Sequence, residues 1–271
     1  SSLTLINNNP MQHPLIDAIQ KIQALGITEL VDFDRFYLYS LVAHSTAIEG
    51  STLSEVEVQV LLEDGTPAAG RHMVEQMMNI DLKEAYDLGR QWALKPCDIT
   101  PELLRGLNAK VMRRTGGRYS CMAGDFDSSK GDFRRVNEQA GFNGPSYLSY
   151  NKVPDHVEAF CQWLNAERHR GERNDIVGSY RLSFEAHLRL VSIHPWVDGN
   201  GRTTRLLMNM LQWERNLLPV IIEKGDKAPY IQALSDAQGQ EDAQPFVDFM
   251  FDNHLQHLLQ LIARHTPKEE E

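Results

Sequence analysis

The segment I-H-P-W-V-D-G-N-G-R-T-T-R, residues 193–205, decides the local fold of this chain. An apolar helical pattern ends near His194, because Pro195 disfavours helical backbone angles in the residue before it. Gly199-Asn200-Gly201 then permits backbone angles that most residues avoid, and a new helical pattern follows at once. The segment therefore predicts a tight turn between two helices, with glycines just before the second.

This turn has the composition of an anion-binding site. Consecutive backbone N–H groups in a glycine-rich turn at a helix N-terminus bind anions. Arg202 and Arg205 are three residues apart, so both can offer planar guanidinium groups to phosphate from one helix face. Asp198 would repel phosphate unless a divalent cation such as Mg²⁺ joined them, and His194 has the side chain of a general base. Each residue alone is more typical of a structural role, but the combination predicts a phosphate-handling site.

Helical periodicity dominates the rest of the chain, interrupted by one segment rich in Gly, Ser, Asn and Asp at residues 115–154. Within that segment, residues 133–138 and 147–153 are predicted to pair as a hairpin about the Gly141–Pro145 turn. The sequence therefore predicts an all-α protein with one small β element. The predicted helices cover residues 14–25, 34–48, 54–62, 73–94, 100–114, 154–167, 175–192, 203–213 and 245–263.

The composition of the chain limits which partners it can bind and indicates its cellular compartment. A length of 271 residues allows one large domain or a small domain joined to a larger one. With 27 basic and 37 acidic residues, the net charge of −10 argues against nucleic-acid binding as the main activity. The three widely spaced cysteines predict reduced thiols and a cytoplasmic location. No apolar run approaches a membrane span, and no signal peptide is visible. The last residues, from Lys268, are predicted to form a solvated tail.

The segment from His194 to Arg205 resembles the signature of the Fic (filamentation induced by cAMP) family, H-x-F-x-(D/E)-G-N-G-R-x-x-R, with Trp196 where Phe is usual. The resemblance extends over about residues 100–250, through the stretch Gly131-Asp132-Phe133-Arg134. It implies a Fic fold, which is a helical bundle with a small β-hairpin flap. It also implies protein adenylyltransferase activity, in which AMP passes from ATP to a Ser, Thr or Tyr hydroxyl of a target protein.

The resemblance implies a role for each motif position. His194 would deprotonate the target hydroxyl, and Asp198 would hold Mg²⁺ or Mn²⁺ on the phosphates of ATP. One branch of the family transfers phosphate and has Lys at the position of Gly201. The resemblance therefore favours nucleotide transfer for this chain, because it has Gly there. The phosphates would be held by Gly199, Asn200, Gly201 and Arg202, with Arg205 on the γ-phosphate.

Two further positions resemble family features outside the motif. The segment Arg135–Lys152 resembles the flap, which docks the target backbone by strand addition; a surface loop is the alternative. Tyr230 resembles a position near the nucleotide base, with core packing as the alternative. The resemblance leaves a homo-oligomer possible.

An upstream segment, Ser45-Thr46-Ala47-Ile48-Glu49-Gly50, resembles the family's inhibitory pattern, (S/T)-x-x-x-E-(G/N). The resemblance implies that Glu49 pairs with Arg205 and takes the guanidinium group that the γ-phosphate needs. It divides the chain into an N-terminal helical regulatory region at residues 1–95, which contains the inhibitory helix, and a Fic catalytic core at residues 96–271.

Three other functions stay open at this point. The same site could remove AMP from a modified protein, with Glu49 orienting a water molecule. It could also transfer another group, such as phosphocholine or UMP. Finally, the chain could be a non-catalytic module that binds nucleotide, although every motif residue needed for catalysis is present.

Overall fold

The structure is a computed structural model that describes residues 12–268. Residues 1–11 and 269–271, with most of the predicted solvated tail, lie outside this range. The described residues form ten α-helices and one two-stranded antiparallel sheet, which confirms the predicted all-α class with a small β element. The elements are α1 (Pro14–Ala24), α2 (Phe33–Ile48), α3 (Glu55–Asp64), α4 (Met73–Leu94), α5 (Pro101–Val111), β1 (Arg118–Tyr119), β2 (Phe126–Asp127), α6 (Val153–Arg170), α7 (Ile176–Ile193), α8 (Asn200–Glu214), α9 (Lys227–Gln240) and α10 (Gln244–His265).

Local sequence explains where several helices begin. The hydroxyl of Thr100 accepts a hydrogen bond from the Leu103 N–H at 3.1 Å, and Pro101 opens α5, where a missing N–H costs nothing. At the start of α3, Ser54 Oγ accepts from the Glu57 N–H at 3.1 Å, and Glu57 Oε1 accepts from the Ser54 N–H at 3.0 Å. This reciprocal pair is a capping box.

Two helices differ from the sequence prediction. Helix α8 begins at Asn200, ahead of the predicted start at residue 203, because Gly199 adopts a left-handed conformation with φ 79° and serves as the N-cap. Helix α9 was not predicted, since glycines near both of its ends and Pro229 obscure its pattern. Pro229 lies in the first turn of α9, where proline is compatible with a helix.

The predicted hairpin at residues 133–138 and 147–153 forms about the predicted turn, but its pairing is shorter than predicted. The described sheet consists of β1 and β2, which lie upstream of that segment. The flap itself contains one isolated bridge, Gln139↔Ser146, beside a hydrogen bond from the Tyr147 N–H to the Glu138 carbonyl at 2.9 Å. Longer pairing is blocked because the guanidinium group of Arg134 takes carbonyls from both arms of the flap.

Helix α8 lies at the centre of the molecule, between two apolar clusters. Leu206, Leu207 and Met210 pack into a cluster with residues of α2 to α6, whereas Met208 packs into a cluster with α1, α7, α9 and α10. The first cluster joins side chains from both sides of the predicted boundary at residue 95. That domain boundary stays a prediction, because the apolar core is continuous across it.

Helix α2 crosses the N-terminal half of α8 and carries the predicted inhibitory segment at its C-terminal end. Gly50 follows with φ 100°, a conformation that favours glycine, and turns the chain away from α2. Among the helices described, none has the length and apolar character needed to cross a membrane.

Candidate active site

The turn between α7 and α8 is held in shape by its own side chains. His194 ends α7 in a left-handed conformation with φ 53°, and Trp196 is fully buried, with its indole N–H donating to the Gly131 carbonyl at 3.0 Å. Asn200 closes the turn, because its Oδ1 accepts from the Trp196 N–H at 3.0 Å and its Nδ2 donates to the Trp196 carbonyl at 2.7 Å. The Asn200 amide is therefore structural, and only its backbone N–H is left to meet a phosphate.

The side chain of His194 is held between two residues of the flap. Its Nε2 lies 2.9 Å from Glu138 Oε2, and its ring stacks on Tyr147 with 3.8 Å between ring centroids and 5° between ring planes. Burial, with the nearby Glu138 charge as a second cause, raises the pKa of Tyr147. The predicted base therefore lies in the site, at the contact between the motif and the flap.

Arg134 is a site residue that the sequence analysis did not single out. Its side chain is 1% exposed, and its Nε donates to the His194 carbonyl at 2.6 Å. Its two terminal nitrogens donate to the carbonyls of Val136 at 2.8 Å and Leu148 at 2.6 Å. Burial of this cation lowers its pKa. Arg134 thus ties both arms of the flap to the turn that carries His194.

Asp198 and Arg202 form the second part of the site. The Asp198 side chain is 63% exposed, and its Oδ1 accepts from the Gly199 N–H at 2.7 Å and from Arg202 Nη2 at 3.3 Å. Arg202 is buried, yet its Nε and Nη1 have no hydrogen-bond partner among the described residues. Because buried N–H donors without a partner are costly, the two free nitrogens of this guanidinium group are suited to an anionic ligand.

Arg205 is the most heavily bonded group of the site. Its Nη2 lies 2.6 Å from Glu49 Oε1, and its Nε donates to Ser45 Oγ at 2.9 Å. Nη2 also donates to the Ser45 carbonyl at 3.1 Å, and Nη1 donates to the Tyr230 hydroxyl at 3.4 Å. The structure therefore brings Ser45, Glu49 and Arg205 together, although α2 and α8 are far apart in sequence.

The Glu49 carboxylate occupies the anion-binding turn. A Cβ at Gly201 would collide with Glu49 Oε1, so the carboxylate lies directly against the first turn of α8. Burial raises the pKa of Glu49, but the charge and hydrogen bond of Arg205 outweigh it, so the pKa lies below its ordinary value. Glu49 is therefore ionised near neutral pH, and its carboxylate lies against the glycine-rich turn.

Tyr230, for which a contact with the nucleotide base was predicted, is packed in the core, as in the alternative interpretation. Its side chain is buried, and its hydroxyl lies 2.5 Å from His187 Nε2 and accepts from Arg205. Burial raises the pKa of Tyr230 although Arg205 lowers it, and burial lowers the pKa of His187 to about 3. Tyr230 thus supports Arg205 from beneath and offers no surface to a base.

Neither the acidic nor the thiol groups suggest a preformed metal site. Within residues 12–268 no cluster of three or more His, Cys, Asp or Glu side chains could hold a metal ion. Cys97, Cys121 and Cys161 are free thiols.

A cleft of about 790 Å³ opens beside the flap, and its lining includes Tyr147, Ser192 and Gln238. This cleft is adjacent to the ring that stacks on His194, so it can receive part of a ligand bound at the motif.

Comparison with known proteins agrees with these features. The family model described as "Fic/DOC family" matches residues 98–212. The chain is 32% identical over 239 residues to "Protein adenylyltransferase Fic" of Culex quinquefasciatus, which covers 87% of this chain and 44% of the relative. It is 31% identical over 214 residues to the protein of the same name from Drosophila melanogaster, covering 77% of this chain and 39% of the relative. The chain thus spans less than half the length of these curated relatives.

Solved structures share the fold. A Fic domain containing signaling protein from Bacteroides thetaiotaomicron superposes with a TM-score of 0.76 at 20% identity, covering 96% of this chain and 100% of that one. Fic-1 from C. elegans superposes with a TM-score of 0.70 at 22% identity, covering 93% of this chain and 71% of that one. At these identities the comparison establishes the fold alone.

Proposed function

Since the chain contains a domain of the Fic/DOC family, we propose that it is a protein adenylyltransferase whose resting state is inhibited by Glu49. The observation that carries the proposal is the arrangement at the start of α8. A base, a carboxylate and two guanidinium groups surround a glycine-rich turn there, and Glu49 occupies the place of an anion. The names of the curated relatives support the same reaction.

The proposed reaction needs one proton transfer and one displacement at phosphorus. The oxygen of a Ser, Thr or Tyr side chain of the target forms a bond to the α-phosphorus of ATP. The bond from that phosphorus to the bridging oxygen breaks, and pyrophosphate leaves. The proton of the attacking hydroxyl passes to the imidazole of His194. Positioning and charge stabilisation supply the remainder of the rate enhancement, as in other phosphoryl transfers.

The burial and the free hydrogen-bond donors of Arg202 support an anionic substrate most directly. Its guanidinium group is buried with two nitrogens unpaired, whereas most buried polar groups have a partner. Phosphate oxygens match the geometry of these donors. The backbone N–H groups of Gly201 and its neighbours lie at the helix N-terminus, where a negative charge is favoured.

A divalent cation fits the residues present. Asp198 is mostly exposed beside the turn, and a single carboxylate together with substrate phosphates is a usual environment for Mg²⁺. Asp198 would hold Mg²⁺ or Mn²⁺, and the bound ion would neutralise phosphate charge. Within the part of the chain described, no cluster of three possible ligands is present. In this proposal the cation arrives together with ATP.

The resting state follows from competition for one guanidinium group. While Glu49 is bound to Arg205, the γ-phosphate of ATP has no access to that side chain. A charge-assisted hydrogen bond is worth roughly 1.5–3 kcal/mol when buried. Glu49 is 34% exposed, which places its pair toward the lower end of that range. The brake is therefore strong enough to reduce a population about tenfold, and weak enough to be released.

Two partners complete the proposal. The target segment docks on the flap at Arg135–Lys152 by strand addition, beside its isolated Gln139–Ser146 bridge. The cleft beside Tyr147 accommodates the nucleoside of ATP. A cytoplasmic location and a homo-oligomer are compatible with this proposal, and neither is needed for it.

The proposal is tested by intact mass spectrometry of the Glu49→Gly variant incubated with ATP and Mg²⁺. We expect protein that carries an added mass of AMP, at a level at least about tenfold above wild type, because Arg205 becomes free. The Glu49→Gly, His194→Ala double variant is the matched control and is expected to gain no adduct. ATP labelled at the α-phosphate confirms which phosphorus is transferred.

Other outcomes would redirect the proposal. An adduct with the mass of phosphate would contradict nucleotide transfer, and no adduct in any variant would contradict the enzyme itself. Release of AMP from a modified protein by wild type, lost in Glu49→Gly, would indicate the reverse activity with Glu49 as a catalytic group.

A further inference from the structure

Glu138 contacts the proposed base although no motif position accounts for it. Its carboxylate Oε2 lies 2.9 Å from His194 Nε2, and both side chains are largely shielded, with 23% and 19% exposure. Glu138 lies in the flap, 56 positions before His194 by residue number, and among the described residues its carboxylate pairs with His194 whereas that of Glu49 pairs with Arg205. The contact is therefore separate from the brake at Glu49 and Arg205.

The contact is built into the flap. The carbonyl of Glu138 accepts from the Tyr147 N–H at 2.9 Å, so these two residues face each other across the flap. Tyr147 stacks on the imidazole of His194 while Glu138 takes its outer edge. Arg134 fixes the base of the same flap to the His194 carbonyl. The imidazole is thus held on one face and on one edge by two side chains of the flap.

The chemical consequence concerns the lone pair of Nε2. Nε2 is the ring nitrogen farther from the main chain, and it is the one that can reach a hydroxyl held in front of the motif. A carboxylate at hydrogen-bond distance requires a proton on that nitrogen, since an ionised carboxylate only accepts. While Glu138 accepts the hydrogen bond of this N–H, His194 cannot take a proton from water or from a hydroxyl through Nε2.

We propose that Glu138 is a specificity-determining residue, which permits His194 to activate the hydroxyl of a docked target and prevents it from activating water. The inference rests on the proposed transferase function. In both reactions the attacking oxygen bonds to the α-phosphorus of ATP, pyrophosphate leaves, and the proton passes to His194. Only the nucleophile differs, so selectivity depends on when Nε2 is free.

Docking of a target gives the carboxylate another partner. A segment that adds to the flap brings backbone N–H groups and side-chain donors beside Glu138. Once Glu138 binds those donors, the target hydroxyl takes the vacated place at Nε2. A water molecule brings no such segment and does not move the flap.

The test compares two products of the Glu49→Gly variant, with and without Glu138→Gln. Free AMP reports hydrolysis of ATP, and protein-bound AMP reports transfer. Because a neutral amide holds an imidazole N–H about half as strongly as a carboxylate, we expect the ratio of free to bound AMP to rise about tenfold. Glu158→Gln makes the same chemical change on an exposed residue of α6 and should leave the ratio unchanged.

An unchanged ratio of free to bound AMP would overturn the inference. An equal fall in both products would also overturn it, because Glu138 would then be a residue that orients a working base. If the Glu49→Gly parent yields neither product, the proposed function itself fails and the inference with it. Without ATP, carbethoxylation of His194 by diethyl pyrocarbonate should be several-fold faster in Glu138→Gln than in wild type. Equal rates would show that Glu138 does not cover Nε2.

Discussion

Arg205 is the buried side chain that serves both the resting and the active state in the proposed function. It is held by Ser45, Glu49 and Tyr230. Burial lowers the pKa of Arg205, but its interactions with Tyr230 and Glu49 outweigh burial, so the pKa lies above its ordinary value. Ser45 and Tyr230 bind through neutral groups, so they can hold the guanidinium group in place when Glu49 leaves. The arginine is therefore positioned for phosphate before the phosphate arrives.

The Tyr230→Phe substitution tests this support at the residue scale. It removes a buried hydroxyl that serves both His187 and Arg205, and we expect a loss of about 1–3 kcal/mol in the free energy of unfolding, measured with urea. Tyr119→Phe is the control, because the hydroxyl of that exposed residue makes no hydrogen bond among the described residues. Equal stability of the two variants would contradict a supporting role for Tyr230.

At the scale of elements, α8 depends on the close approach of α4. Gly89 of α4 faces α8, and a Cβ there would lie 2.9 Å from both Leu206 Cδ1 and Met210 Cγ. The absence of a side chain lets the two helices approach closely, which fixes the position of the helix that begins at the anion-binding turn. A glycine inside a helix is otherwise unfavourable.

Two glycine-to-alanine variants separate these effects. Gly89→Ala should lower the free energy of unfolding by about 1–3 kcal/mol, because the added methyl group forces α4 and α8 apart. Gly106→Ala, in the middle of α5, meets no atom within 4 Å and should raise stability by about 0.4–1 kcal/mol. Denaturant unfolding of both variants measures the difference, and a shift of the same sign in both would refute the packing argument.

The flap is a second element whose position depends on one side chain. Arg134 carries a buried charge with carbonyl oxygens as its partners, and it binds both arms of the flap to the turn after α7. This arrangement replaces the ladder of a regular hairpin. The flap is therefore joined to the catalytic base at its root, which explains why Glu138 and Tyr147 reach His194.

For the whole molecule, buried histidines link stability to pH. Burial lowers the pKa of His187 and of His254 to about 3, and that of His257 to about 4. In the unfolded chain a histidine takes up a proton near pH 6.5. Unfolding therefore binds protons below that pH, and the stabilisation that is complete above pH 6.5 is lost as the pH falls toward 4.

We expect the free energy of unfolding to decrease between pH 7.5 and pH 5 by up to about 1.4 kcal/mol per pH unit for each of these histidines. His257→Gln should reduce the slope of the free energy of unfolding against pH by the contribution of one histidine. His156→Gln changes an exposed histidine and should leave the slope as it is. Guanidinium unfolding at several pH values measures these slopes, and a slope of zero in wild type would contradict neutral buried histidines.

The sequence by itself determined the helices and the turn at residues 193–205. Their signals are local, since helical periodicity, the caps at Ser54 and Thr100 and the glycines of the turn act within a few residues. Family resemblance then indicated Glu49 as the partner of Arg205. Helix α9 and the form of the flap were missed, because weak periodicity and a buried arginine override the local pattern.

Only the tertiary structure decided which side chains surround the motif. Arg134 reaches the His194 carbonyl across 60 residues, and Glu138 reaches the imidazole of His194 from the flap. Tyr230 lies beneath Arg205 because α9 packs there, and its side chain is buried in the core. Such contacts depend on how the helices pack. Packing is stabilised by interactions between residues that are distant in the chain, so local sequence patterns do not reveal it.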